Sequence, residues 1–366
     1  MLRFVKPIDG DVLFECVDGT EKDGVLYVEV MVQAPAHCHV EINTVAAEEK
    51  GNGEYFAIIP IDAYRNGLDA VCAETGESAT VYVFWFRGGY KTYRVAVDDV
   101  IFCFENIYKH QDQYASIFDD PYLAMYRDLH DQYGSHVHMH IYYQTVDGKF
   151  NLSMFPDKFK EEFRRNSDWL RFSFHAFADL PDSPYKDAPY AQVMREGKMV
   201  EREILRFAGP EVMDHVTSMH WSNAKLPGTR AFRAMGFKVL DAYFWIDKEG
   251  RPTISYYLNA DQVKHGMNRD FWCDTKEDIF FVNSDVVLND DRLSLEDIDA
   301  TLESVAASEK RAFMYLLIHE QYFYPHYEAY EPDYRERLFR GVKWCEEHGY
   351  RSSWISDFAF EKLPGR

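Results

Sequence analysis

The amino-acid sequence predicts an α/β protein in two parts: a small all-β sandwich of immunoglobulin-like type over residues 1–90, then a β/α barrel of seven or eight strands over residues 91–366. Three observations carry this reading. Short runs rich in β-branched and aromatic residues fill the first ninety positions, strand-like and helix-like periods alternate afterwards, and acidic or histidine side chains close three of the later apolar runs. Parallel β/α barrels keep their chemistry at such strand ends.

The N-terminal strands are Val25–Val32, His39–Ile42, Glu54–Ile59 and Ala79–Phe86, punctuated by Asp9-Gly10, Asp18-Gly19, Gly51-Asn52-Gly53 and Gly88-Gly89. From about residue 91 the period changes. An amphipathic helix from Pro121 to Tyr133 stops at Gly134 and leads into the strand His136–Tyr143. Helices follow at Pro156–Leu170, Val200–Phe207, Thr229–Met235, Ser294–Ala307 and Tyr334–Glu347. Strands are expected at Phe172–Phe177, Val216–His220, Phe237–Leu240, Met314–Ile318 and Tyr350–Ile355. Ser294 with Asp297 three residues on is a helix-capping signature, and Asp120 before Pro121 marks a helix start. Tyr243–Leu288 interrupts the alternation and reads as an insertion beside the site. The later part suits a barrel, which typically takes ~250 residues.

Composition narrows the function. The 366 residues include 61 acidic and 40 basic side chains, a formal charge of -21, which opposes binding to nucleic acid or anionic membranes. The six cysteines, Cys16, Cys38, Cys72, Cys103, Cys273 and Cys345, form no CxxC pair, so neither a zinc ribbon nor a disulfide framework is indicated. With neither a signal-peptide core nor a membrane-length apolar run, a cytoplasmic location is expected.

The candidate chemistry lies at Asp98-Asp99, closing Tyr93–Val97; at His175 and Asp179, following Phe172–Phe174; and at His319, following Met314–Ile318. Two carboxylates closing an apolar strand can hold a metal and accept a proton. His136, His138 and His140 alternate and so share one strand face, either as a second metal set or paired with neighbouring carboxylates. Asp285 at a possible strand end is a candidate substrate contact, acid or turn residue. Trp221 and Tyr322 belong to a group of aromatics placed to stack on sugar rings or to fill a core.

In the order of these features, residues 91–357 resemble the polysaccharide deacetylase (NodB homology) superfamily of glycoside hydrolase/deacetylase barrels. The resemblance makes Asp98 the general base and Asp99 a metal ligand. The family's His-Ser/Thr-x-x-His motif corresponds to His175-Ala176-Phe177-Ala178-Asp179, with Asp in place of the second histidine, implying Asp99, His175 and Asp179 as ligands of a divalent metal, zinc first. Leu317-Ile318-His319 and Gly349-Tyr350 match the closing Leu-x-His segment and implicate His319 as general acid. The family's arginine motif is absent. His220-Trp221-Ser222-Asn223 stands there, giving His220 and Trp221, with Asp285 and Tyr322, as expected substrate contacts.

The implied function is removal of an N- or O-acetyl group from a carbohydrate substrate. A glycoside hydrolase using Asp98, Asp179 or Asp285 in pairs, and a carbohydrate-binding protein without catalysis, are the alternatives.

Overall fold

The structure, a computed structural model, describes residues 1–308 and 310–361. Its first ninety residues build two sheets. Arg3–Lys6, Val25–Gln33, Glu54–Ile61 and Glu48–Gly51 lie in that order, with Gly19–Lys22 also paired to Val25–Gln33. Val12–Leu13, Ser78–Trp85, Arg65–Cys72, Val40–Ile42 and Val45–Ala46 form the second sheet. Alternation decides which side chains meet: Leu26, Val28, Val30 and Val32 point inward and join Ile59, Ile61, Leu68, Ala70 and Val83 in a core of their own. The four expected strands form with small shifts at their ends. Arg65–Cys72 is an additional strand that Asn66, Gly67 and Asp69 disguise, since these residues are depleted in strands; burial of Leu68, Ala70 and Cys72 holds it in place.

From Thr92 onward the fold is mixed α/β. Leu170–Ala176, Val137–Tyr142, Thr92–Val100, Phe313–His319 and Val286–Val287 form a parallel sheet in that order. Val216–Thr217, Val239–Ala242 and Ile279–Asn283 form a second parallel sheet, edged by the antiparallel Phe271–Asp274. Two seams join the sheets. At one, the Asp214 N–H donates to Phe172 O at 3.0 Å beside a Phe172–Met213 bridge. At the other the chain itself runs from Asn283 to Val286. The strands at these seams, Val216–Thr217 and Val286–Val287, are only two residues long, so the ladder is not continuous around both sheets among the described residues.

The helices show where local signals mislead. Pro121–Tyr133 forms with Asp120 capping the Tyr122 and Leu123 N–H groups, and Leu295–Ala306 forms with the Ser294/Asp297 capping box. The expected Pro156–Leu170 helix reduces to Lys160–Arg165 after a short 3-10 turn, because Trp169 and Leu170 are drawn into the following strand and its core. The helix expected at Val200–Phe207 starts earlier, at Tyr190, and only Arg351–Ser352 of the last expected strand pairs. Tyr243–Leu288 contains a hairpin, Trp245–Ile246 with Pro252–Thr253, and the helix Ala260–Met267. No helix among the described residues is long and apolar enough to cross a membrane.

Between the parallel sheets lie Ala96, Val216, Val239, Phe280, Val282, Phe313, Tyr315 and Leu317, and this core continues without a break into Val12, Phe14, Phe84 and Phe86 of the N-terminal sheets. The docking is close. Gly10, with φ of +87°, accepts the Cys273 N–H at 2.8 Å, and a Cβ there would lie 1.9 Å from Cys273 O, so only glycine permits the approach. Phe86 is fully buried against Phe14, Phe271, Phe280 and Phe358. Phe86→Ala is expected to cost about 3–5 kcal/mol and, because its contacts span both parts, to lower the denaturation midpoint of both together in chemical unfolding followed by tryptophan fluorescence.

Candidate metal centre

The central strand Thr92–Val100 is buried along its whole length. Successive strand residues normally face opposite ways, yet the carboxylates of Asp98 and Asp99 enter one cluster. The reason is a register shift against the neighbouring strand between Val97 and Val100, with Asp99 at φ of +66°. An aspartate tolerates the left-handed region better than most residues, and the bulge re-aims its side chain. Beyond the bulge, Glu320 fixes the chain: its buried carboxylate accepts the N–H groups of Ile101, Phe102 and Cys103 at 2.5–2.7 Å, capping the helix that begins at Phe102.

Asp99 Oδ1 lies 3.0 Å from His175 Nε2 and 3.3 Å from His220 Nδ1, and the two ring nitrogens are 3.1 Å apart. All three residues are buried. Tetrahedral zinc with bonds of about 2.0–2.1 Å spaces its ligands roughly 3.3 Å apart, close to this triangle. Each imidazole is turned the right way: His175 donates Nδ1–H to Ser218 O at 2.6 Å, and His220 donates Nε2–H to Asp179 O at 3.0 Å, so in the neutral rings the nitrogens facing Asp99 are the ones with lone pairs to give a metal. The donor set therefore fits a divalent cation. Tyr142 donates its hydroxyl to Asp99, and Gln321 Nε2 donates to the other Asp99 oxygen at 2.7 Å.

The third member differs from the expected set of Asp99, His175 and Asp179. Asp179 is partly exposed; its Oδ1 lies 3.1 Å from the Tyr142 hydroxyl and 3.5 Å from His220 Nε2, and its backbone carbonyl orients His220. His220, expected as a substrate contact, occupies the ligand position. It reaches there from the end of the Val216–Thr217 strand through a 3-10 turn whose next residues, Trp221 and Ser222, both have positive φ. Such backbone persists only where its surroundings hold it; here Ser222 Oγ donates to Asp241 O at 3.0 Å. The Trp221 ring is left half-exposed beside His220.

A second network lies beneath. Asp98 Oδ1 is 2.5 Å from His140 Nδ1, whose other nitrogen accepts from Arg94 at 2.7 Å; Arg94 also donates to His138 and to Asp241, which accepts the Tyr315 hydroxyl. His138 and His140 thus serve a buried arginine, while His136 pairs with Ser352. The charges bias each other. Burial raises the pKa of Asp98, but His175 and His140 outweigh it and bring it to about 2. Burial likewise disfavours charge on His175, yet Asp98 and Asp99 lift it to about 9. Asp99 is held well below the usual carboxylate range, its burial more than offset by His175 and His220. The two carboxylates and His175 thus hold one another in their charged forms.

His319 is the register partner of Asp98 on the adjacent strand and gives its Nδ1 to Asn289 Oδ1 at 3.0 Å, leaving Nε2 free of that contact. Tyr322 packs beside His319, with ring centroids 6.1 Å apart. Asp285, expected at the substrate, is instead buried in ion pairing with Arg311 and accepts the Tyr315 N–H; burial lifts it to about 6. Its strand position leads into a charge pair, which the sequence around it did not announce. A cleft of about 30 Å³ opens over Asp99, lined by Phe102, Tyr142, Asp179, Gln321 and Tyr327. Tyr142, Gln321, Arg94 and Asp241 were not expected. Arg94 and Tyr142 share the alternation of the residues already singled out, at positions 94 and 98 and at 138, 140 and 142, and that periodicity could have found them.

No protein-family model matches the chain, and no curated protein matches its sequence. Among solved structures it is similar to one described as "Crystal structure of putative polysaccharide deacetylase from Mycobacterium smegmatis", with a TM-score of 0.43 and 8% identity, covering 74% of this chain and 90% of that one.

The geometry separates the two possible ligand sets. His220→Ala and Asp99→Asn are each expected to hold about one equivalent of zinc less than the wild type, while Asp179→Asn, which keeps its backbone carbonyl, matches the wild type; elemental analysis of the three variants beside the wild type, after dialysis against zinc and then buffer, reads the difference.

Proposed function

We propose that this chain is a metal-dependent hydrolase that removes an acetyl group from a carbohydrate, on a deacetylase-like barrel of seven or eight strands behind an immunoglobulin-like sandwich. The observation that carries the reading is the buried triangle of Asp99, His175 and His220 with Asp98 and His319 on the adjoining strand ends. Asp99, His175 and His220 would hold the ion. Bound there, a divalent cation supplies polarisation of an acyl carbonyl and acidification of water.

The chain's own groups then have separable tasks. Asp98, ionised and oriented by His140, takes the proton from an attacking water. Arg94 fixes the His140 tautomer by donating to Nε2, so that Nδ1–H faces Asp98. His319, held through Nδ1 by Asn289, gives a proton from Nε2 to the departing amine or alcohol as its bond to the acyl carbon breaks. Tyr142 and Gln321 keep Asp99 aimed. The small cleft over Asp99 is compatible with a short acyl group such as acetyl. The ring would rest outside it, with Trp221 and Tyr322 at the rim. Pairing of Asp285 with Arg311 removes one carboxylate from the glycosidase alternative.

Zinc-loaded protein is expected to release acetate from acetylated oligosaccharides, and Asp98→Asn to lower kcat by at least the roughly 10²–10⁴-fold attributed to a general base, with zinc content unchanged. His319→Gln should lower kcat by a similar factor. Acetate release measured with N-acetylated and O-acetylated substrates checks this; no release by the zinc-loaded wild type across both series, with sugar binding retained, would leave the binding-protein alternative in its place.

A further inference from the structure

The N-terminal sheets hold a second group of donors remote in sequence from the Asp99 centre. Cys38, Cys72 and Glu74 bring two sulfurs and a carboxylate oxygen within 4.8 Å of one another. The antiparallel register explains the convergence. Val40 pairs with Cys72 and Glu41 with Val71, and the Ala73 N–H donates to His39 O at 2.9 Å, so continuing the ladder sets Cys38 across from Glu74 and diagonal to Cys72. Side chains two apart share a sheet face, and all three positions therefore fall on one side at the end of the sandwich. Cys72 is buried, Cys38 half-buried and Glu74 exposed, which leaves the group a path to solvent. The surrounding backbone is fixed: Gly76 N–H donates to Cys72 O, Cys72 N–H to Glu77 O, and Cys38 N–H to the Tyr55 hydroxyl at 2.7 Å.

We infer that Cys38, Cys72 and Glu74 form an accessory site for a thiophilic divalent cation, zinc or its cobalt and cadmium analogues. Two thiolates with one carboxylate are a donor set such ions accept, and calcium or magnesium do not favour. Coordination requires both thiols to give up protons to solvent. Diagonal cross-strand positions typically lie ~7–8 Å apart, longer than the roughly 4.4–6.8 Å between Cα atoms that a disulfide spans, so an ion bridges the sulfurs with less backbone movement than a direct bond. The bound ion would tie the strand end at Cys38 to the turn at Cys72–Glu77. Being remote from Asp99, it stands whether or not the proposed hydrolase activity does.

The test uses full-length protein, kept reduced with a phosphine, freed of metal by a chelator and titrated with cobalt(II). The expected result is an intense near-ultraviolet sulfur-to-cobalt charge-transfer band that is abolished in Cys38→Ser and Cys72→Ser and persists in Asp99→Asn. Glu74→Ala, which also removes the acceptor of the His39 N–H, is expected to keep the wild-type circular dichroism spectrum and to weaken cobalt binding by at least the roughly 10–100-fold that losing even an orienting partner costs a metal site. Absence of the band in reduced wild type, or its survival in Cys38→Ser, overturns the proposal. So does recovery of a Cys38–Cys72 disulfide from protein purified without reductant if the reduced form then gives no band.

Discussion

The bulge at Asp98-Asp99 is the constraint on which the site depends. A regular strand would send these adjacent carboxylates to opposite faces, one toward the space between the parallel sheets and one toward the covering helices. The left-handed turn at Asp99 brings both to the same end of the strand and so allows one to face His175 and His220 while the other faces His140. Backbone of this kind is costly by itself, on the order of 1–3 kcal/mol, and it needs restraint from outside the strand. Glu320 provides it by gathering three consecutive N–H groups immediately after the bulge, from a residue next to His319. The acid pair, the capped helix and the histidine strand end are thereby coupled through one buried carboxylate.

Buried charge imposes the next requirement. Arg94, Asp98, Asp99 and Asp241 all lie inside the fold, where an unpaired ion would cost several kcal/mol. Arg94 and Asp241 compensate each other directly at 3.0 Å. Among the described residues no arginine or lysine pairs with Asp98 or Asp99, and the charge against them comes from histidines, which is why His175 is drawn so strongly toward its charged form. A pocket in which two carboxylates are balanced only by titratable rings is poised to exchange a proton for a metal ion, since ligating imidazoles must be neutral.

Much of this was legible in the sequence because it rests on local pattern. The period-two alternation of Val25–Gln33 and the apolar run before Asp98 report the backbone directly, as do the Ser294/Asp297 cap and the Gly134 stop. Asp98, Asp99, His175 and His319 lie in the last residues of strands that do form, where reading the residue just past an apolar run had placed them. What escaped depends on tertiary placement. Arg65–Cys72 has poor strand propensity and is a strand because its neighbours supply the ladder. Asp285 looks like a strand-end acid until Arg311 arrives from 26 positions away to pair with it. Cys38 and Cys72 meet only through cross-strand register, a relation that spacing along the chain cannot express.

The exchange between Asp179 and His220 follows the same logic. A motif read along the chain assigns the third donor four residues after His175, but the cluster is defined in space, and the end of the next parallel strand is equally near. His220 enters from there and leaves Asp179 the task of orienting it through a backbone carbonyl. The substitution also changes the charge. With Asp179 as ligand, two carboxylates would neutralise a dication; with His220, one carboxylate and two neutral rings would leave a metal-loaded centre a net positive charge facing Asp98. Asp98, already held ionised by its surroundings, supplies the compensating negative charge from a position outside the triangle, where it remains available to a water molecule.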